Sequence, residues 1–279
     1  MGKTIAMLHP GEMGAAIGAG LVGRGHRVVW ASAGRGASTR KRAERCGLED
    51  VATLARAAQA ADVVFSVCPP HAAMEVARAV AACGFGGVYV DANAVSAETT
   101  RAVGQAVEAA GATYVDAGVI GPPPVPGASV RLYLCGSRAG EIAPLFEGCI
   151  MQAIALDGPV GAASALKVCY AAWNKGATAL LAGIRALAAQ EGVDAALLAE
   201  WKISLPEIPK RSEMITVSAR KAWRWIAEME EIAASFEAAG LPAGFHLAAA
   251  DIYRRLEGFK DAVKPPALAE VTAALLRRS

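Results

Sequence analysis

Charge is scarce in this sequence: 19% of its 279 residues are charged and the net charge is +2. That balance excludes both the basic field that holds nucleic acid and an acidic tail. The six cysteines, Cys46, Cys68, Cys83, Cys135, Cys149 and Cys169, show no CxxC pair and no Cys/His ligand spacing. No metal site is predicted from them. No charged-then-apolar leader precedes the first structured segment, so reduced thiols and a cytoplasmic protein are expected. Lys, Arg or Gly interrupts every Ala-rich stretch within about 20 residues, and no membrane span is expected. No internal repeat is visible. What is present is a chain 54% hydrophobic, long enough for one large domain or two unequal ones.

The two halves differ in rhythm. Short β-rich apolar runs at Thr4 to Leu8, His26 to Ala31, Asp62 to Val67, Gly87 to Asp91, Thr113 to Asp116 and Leu132 to Cys135 alternate with helical stretches. That alternation predicts an α/β domain over residues 1–158, a doubly wound, mostly parallel sheet of the Rossmann type. Beyond Pro159 no comparable strand occurs, and the run from Ala162 to Gln190 contains no proline. An all-α domain over 159–279 is expected, opening with a long connector helix at about 162–190 and closing over a substrate.

The first βα turn reads "LHPGEMGAAIG". A pyrophosphate turn needs a strand, a backbone able to approach the phosphates, and a helix whose N-terminal N–H groups face the anion. Gly11 suits the close approach and Gly14 the packing of helix on strand, while His9 and Pro10 stand where a first glycine eases the exit from the strand. With Glu12 and Met13, these residues form the candidate cofactor turn. His9 is expected to be a turn residue near the cofactor and not a catalytic base.

NAD binding places an acid at the end of the second strand, about 20 residues beyond the glycines, for the ribose hydroxyls. The sequence there is "WASAGRGASTRKR", without an acid. Ser32, Arg35, Ser38, Thr39 and Arg40, followed by Lys41 and Arg42, supply hydroxyls and guanidinium groups suited to a 2′-phosphate. NADP(H) is therefore the expected cofactor.

Several segments, in order, resemble the β-hydroxyacid dehydrogenase superfamily, which includes 6-phosphogluconate dehydrogenase-like proteins and imine reductases. "HPGEMG" resembles the GxGxMG turn, and "DVVFSVCPPHAAMEV" the strand and loop where Cys68 and Pro69 run past the cofactor. "YVDANAVSAETTR" resembles the next strand and loop, placing Asn93 near the nicotinamide. "DAGVIGPPPVPGA" resembles the substrate stretch, with Val119, Ile120, Gly121 and Pro122, and "GAASALKVCYAAWNKG" the helix bearing the catalytic lysine.

The resemblance implies hydride transfer at a hydroxyl or carbonyl carbon, with Lys167 as general acid/base. A lysine in a cleft beside cofactor can be tuned to exchange a proton near neutral pH. Tyr170 and Ala171 stand between Lys167 and Asn174, so the assisting group is Asn174 or Tyr170. Ile120 replaces a hydroxyl-bearing residue of the substrate stretch, Ala227 falls at a second lysine, and Glu228 falls at an acid expected to face substrate. These departures leave two alternatives: an imine reductase on the same scaffold, or a non-catalytic NADP(H)-binding protein. The resemblance also implies a homodimer through the helical domain.

Overall fold

The computed structural model describes residues 2–260 and 262–277. The apolar runs form strands β1 (Thr4–Met7), β2 (Arg27–Trp30), β3 (Glu49–Asp50), β4 (Val63–Ser66), β5 (Val88–Asp91), β6 (Thr113–Ile120), β7 (Val130–Cys135) and β8 (Met151–Ala155). They make one sheet in the order β3-β2-β1-β4-β5-β6-β7-β8. Pairing is parallel from β3 to β6, antiparallel between β6 and β7, and parallel again to β8. Helices α1 (Glu12–Gly23), α2 (Ala37–Arg45), α3 (Leu54–Ala60), α4 (Ala73–Ala82), α5 (Ala97–Glu108) and the short α6 (Ala139–Ile142) connect them.

Both faces of the sheet are covered, which is why the central strands are apolar without alternation. On one face Ile5, Met7, Val28 and Val90 pack with Ile17 and Leu21 of α1. On the other, Ala6, Leu8, Val64 and Tyr89 pack with Ala57 of α3, Ala77 and Val80 of α4 and Val103 of α5. The strand order reverses between β1 and β4, so the crevice beyond their carboxyl ends is where an open α/β sheet receives a ligand.

The structure departs from the sequence reading at the strand ends. β6 continues four residues past Asp116 to Ile120, because Ala117–Ile120 pair with Leu134–Arg131. Strands β3 and β8 have no counterpart in the apolar pattern. The two residues of β3 are both acidic and exposed, and β8 buries little besides Met151, so backbone pairing alone defines them.

The chain falls into two compact units, the first ending at Val168 and the second beginning at Cys169, within α7 (Ala162–Gln190). The second unit continues as α8 (Asp194–Ser204), α9 (Ile208–Ala219), α10 (Ile226–Ala238), α11 (Gly244–Arg254) and α12 (Leu268–Leu276). Among the described residues no helix is long and apolar enough to cross a membrane.

A buried cation ties α7 to α8 and α9. Arg185 is 4% exposed. It donates to both carboxylate oxygens of Asp194 at 2.5 and 2.8 Å, and to Ser212 Oγ at 2.9 Å. Asp194→Ala is expected to destabilise the protein by about 3 kcal/mol, because it strands a buried guanidinium. Arg185→Met, which removes the charge and keeps much of the volume, should cost less. Urea denaturation of both variants checks that order.

Candidate functional site

β1 runs through Leu8 into His9, Pro10 and Gly11, at the point where the strand order reverses. Gly11 N donates to His9 O at 2.8 Å, closing the exit from the strand. Among the described residues the only non-glycine with positive φ is Ala52, so His9 and Pro10 make this turn without a left-handed residue. Gly11 is extended (φ −66°, ψ −167°), and a Cβ added there would meet nothing within 4 Å. No side chain caps the start of α1, where Glu12 and Met13 lie. An open glycine before an uncapped helix N-terminus fits a pyrophosphate group.

Gly14 has the opposite environment. A Cβ there would lie 2.3 Å from His9 O and 3.3 Å from Met7 Sδ. Gly14→Ala is therefore expected to push α1 off β1, with about 1–3 kcal/mol of stability lost. Thermal melts together with NADPH titration check this, the variant binding at least tenfold more weakly (about 1.4 kcal/mol).

At the end of β2 three arginines bear on the loop and the turn. Arg35 Nη2 lies 2.7 Å from His9 Nε2. Arg40 donates to Ser32 O at 3.0 Å and to Arg35 O at 3.3 Å, and Arg42 donates to Pro10 O at 3.2 Å. Burial, followed by the Arg35 charge, pulls the His9 imidazole down to about 4, so it is neutral at neutral pH. Ser32 is buried with its hydroxyl against Asp50 of β3, while Ser38 is exposed and Thr39 half-buried in the first turn of α2. Asp50 is the acid at this end of the sheet that the sequence reading did not find. It comes from β3, two residues long, which left no periodic signal.

The ends of β4 and β5 are braced together. Asn93, 1% exposed, accepts from Cys68 N at 2.6 Å and donates to Ser66 Oγ at 3.1 Å. The resemblance placed Asn93 near a nicotinamide, but its amide is occupied in fixing these two strand ends. Burial raises the Cys68 thiol to about 11, with the Ser66 hydroxyl and the Arg35 charge acting the other way, and Pro69 leads into a short turn over Pro70–Ala72. Asp91 accepts from Asn93 N and from the Tyr114 hydroxyl, each at 3.0 Å. Burial raises Asp91 to about 6; Asn93 N–H, the Tyr114 hydroxyl and the Lys167 charge oppose that rise, while the Asp116 charge adds to it.

β6 holds the start of α7 on the same sheet face. Asp116 Oδ2 accepts from Gly161 N and Ala163 N at 2.9 Å and from Ser164 N at 3.2 Å, and Oδ1 accepts from Ser164 Oγ at 2.6 Å. Burial raises this carboxyl, and those donors offset part of the rise. Gly118, two residues on, lets the helix lie against the strand: a Cβ there would be 2.5 Å from Ala163 O and 3.3 Å from Lys167 Cβ. Sequence reasoning missed the roles of Asp116 and Gly118; a glycine inside a strand pattern was the available signal of close backbone approach.

The substrate stretch needs correction. Val119 lies in the hydrophobic core with Leu132 and Leu134, on the sheet face opposite Gly118 and Lys167. Strand alternation puts Ile120, 5% exposed, on the Gly118 face. Gly121, at φ +126°, turns the chain out of β6, where a Cβ would lie 2.6 Å from Ser129 O, and Pro122 is exposed beyond it.

In the second unit, Asn174 Nδ2 donates to Tyr170 O at 3.2 Å, and Tyr170 is 48% exposed. Glu228, expected to face substrate, instead pairs with Lys175 Nζ, which also lies over the Trp225 ring. Lys175 lies within the quoted lysine-bearing helix segment, but only Lys167, Tyr170 and Asn174 were singled out there, so its pairing with Glu228 went unread. His246 is buried between the rings of Phe236 and Phe245, a packed helix residue. Among the described residues no group of His, Cys, Asp and Glu is placed to hold a metal.

Residues 4–136 match the NAD binding domain of 6-phosphogluconate dehydrogenase, and residues 188–256 match a domain of unknown function, DUF1932. A conserved hypothetical protein from Sinorhizobium meliloti 1021 is 26% identical, with TM-score 0.73 over 99% of this chain and 96% of that one. A 3-hydroxyisobutyrate dehydrogenase from Mycobacterium tuberculosis, solved with L-serine, is similar at 22% identity, TM-score 0.76, covering 99% and 100%. An imine reductase from Streptomyces aurantiacus is similar at 21% identity, TM-score 0.56, covering 99% and 100%. The last two are likenesses of fold. No curated protein matches in sequence.

Proposed function

Since residues 4–136 match the NAD binding domain of 6-phosphogluconate dehydrogenase and residues 188–256 match DUF1932, we propose an NADP(H)-dependent oxidoreductase of small hydroxy or carbonyl substrates. The observation that carries the reading is the basic loop Ser32–Arg42 fastened to the β1–α1 turn, with Lys167 held on the Gly118 face of β6 in the same unit. Gly11 and the α1 N-terminus would hold the pyrophosphate, and Arg35 and Arg40 the 2′-phosphate. When bound, the nicotinamide supplies the hydride acceptor or donor. Lys167, as the neutral amine, takes the hydroxyl proton as the substrate carbon gives up hydride; in the reverse direction its ammonium returns that proton to the carbonyl oxygen. Asn93 keeps the strand ends in place for this chemistry.

Reduction of a C=N bond is the second reading, favoured by the apolar Ile120 beside Gly118, where no hydroxyl is offered to a carboxylate. A homodimer is part of the proposal. The second unit carries an apolar groove of about 310 Å³ between α7 and α11, lined by Leu180, Leu187 and Phe245, which a second copy would cover. Light scattering of the purified chain tests that point.

Titration with NADPH and NADH, read by cofactor fluorescence, tests the main reading. NADPH is expected to bind more tightly than NADH, and Arg35→Ala to weaken NADPH at least tenfold (about 1.4 kcal/mol). Equal affinity for both cofactors overturns the NADP assignment. Tight NADPH binding with no turnover of 3-hydroxy acids, ketoacids or imines favours the non-catalytic reading.

A further inference from the structure

His9 occupies the place of the first turn glycine, and its side chain touches the arginine best placed for a 2′-phosphate. Guanidinium has donors and no acceptor, so at 2.7 Å from Arg35 Nη2 the His9 Nε2 must carry a lone pair. The imidazole is then neutral with its proton on Nδ1, an atom that is buried and has no hydrogen-bond partner. A doubly protonated ring would present N–H to N–H. Burial and the Arg35 charge pull its pKa down to about 4, which agrees with the geometry.

We propose that His9 is a positioning residue for cofactor selectivity: as a neutral acceptor in place of the turn glycine, it aims Arg35 at the cofactor 2′-phosphate. The inference rests on the NADP reading above. A glycine at position 9 would leave Arg35 without this side-chain acceptor. The rest of the loop is already fixed: Arg35 N donates to Ser32 O at 3.0 Å around Gly34 (φ +71°), and Arg35 O accepts from Arg40. With the backbone set by that turn, His9 sets the guanidinium. Arg35 meets His9 where the chain leaves β1, so the cation stands at the β1 side of the crevice where the strand order reverses. An arginine held in one orientation gives bidentate phosphate recognition without the entropy cost of ordering it at binding. The unpartnered Nδ1–H records the penalty of keeping a buried imidazole there for its other nitrogen.

The test is the ratio of NADPH to NADH dissociation constants for His9→Leu, His9→Gln, Arg35→Ala and the double variant His9→Leu/Arg35→Ala. His9→Leu should lower the preference for NADPH about tenfold (about 1.4 kcal/mol), weakening NADPH by that much more than NADH. Gln offers an acceptor oxygen near the place of Nε2, so His9→Gln should restore most of the preference. In the Arg35→Ala background His9→Leu should add nothing, the signature of two residues acting as one. Nitrogen-15 shifts of the wild-type ring should show a bare Nε2 and a protonated Nδ1. Equal weakening of both cofactors by His9→Leu would make His9 a turn residue only and overturn the inference, as would an unchanged ratio. If Arg35→Ala removes the preference while His9→Leu keeps it, the NADP reading stands and the His9 inference fails. A wild type without preference removes both.

Discussion

Lys167→Met is expected to lower kcat by about 10²–10⁴-fold on any substrate the wild type turns over, with NADPH affinity unchanged. The side chain starts on α7 directly over Gly118, and its charge reaches the buried Asp91. Methionine keeps the stem and removes the group that moves the proton. Lys167→Arg should be nearly as inactive, since guanidinium keeps the charge but does not release a proton at working pH. That pair of variants separates proton transfer from simple charge stabilisation: substantial activity in the arginine variant would leave Lys167 an electrostatic role only. Steady-state rates and cofactor titration on the same preparations give both numbers.

Asp116→Ala is expected to destabilise the protein by about 3 kcal/mol or more. It removes the acceptor of three backbone N–H groups and one hydroxyl at the buried start of α7, and an orphaned buried donor costs about 1–3 kcal/mol. The carboxylate also stands at the positive end of the helix dipole. Ser164 takes a further bond from Thr100 at 2.9 Å, so loosening it slackens α5 as well. Lys167 lies one turn beyond Ala163, and kcat should fall with stability. Asp116→Asn keeps an oxygen acceptor and should lose about half as much. Urea unfolding measures the first effect; a kcat that stays at the wild-type value despite the lost cap would show that Lys167 does not depend on this anchor.

The candidate site was legible in uneven measure. Gly14 announced itself, because a glycine three residues after another at a strand-to-helix turn has few reasons to be there, and it meets His9 O as that pattern requires. Asn93 was located at the right strand end, yet its amide braces Cys68 and Ser66, 25 and 27 residues away. Val119 looked like a lining residue from the resemblance of its segment to a substrate stretch; pairing of β6 with β7 runs through it and its side chain lies in the core. Glu228 looked like a substrate contact until Lys175, 53 residues earlier, was found beside it.

The sequence by itself determined the elements whose cause is local: apolar runs that became a mostly parallel sheet, the proline-free stretch that became α7 over Ala162–Gln190, the glycines of the first turn, and the arginines gathered where an acid was absent. Each of these is written in spacing or composition within a few residues. Only the tertiary structure decided which side chains meet: Arg35 with His9, Asp116 with the start of α7, Gly118 under Lys167, Lys175 with Glu228. Periodicity records which face of an element is buried; the partner across the chain is selected by packing and by the need to satisfy every buried polar group, and neither leaves a mark in local sequence.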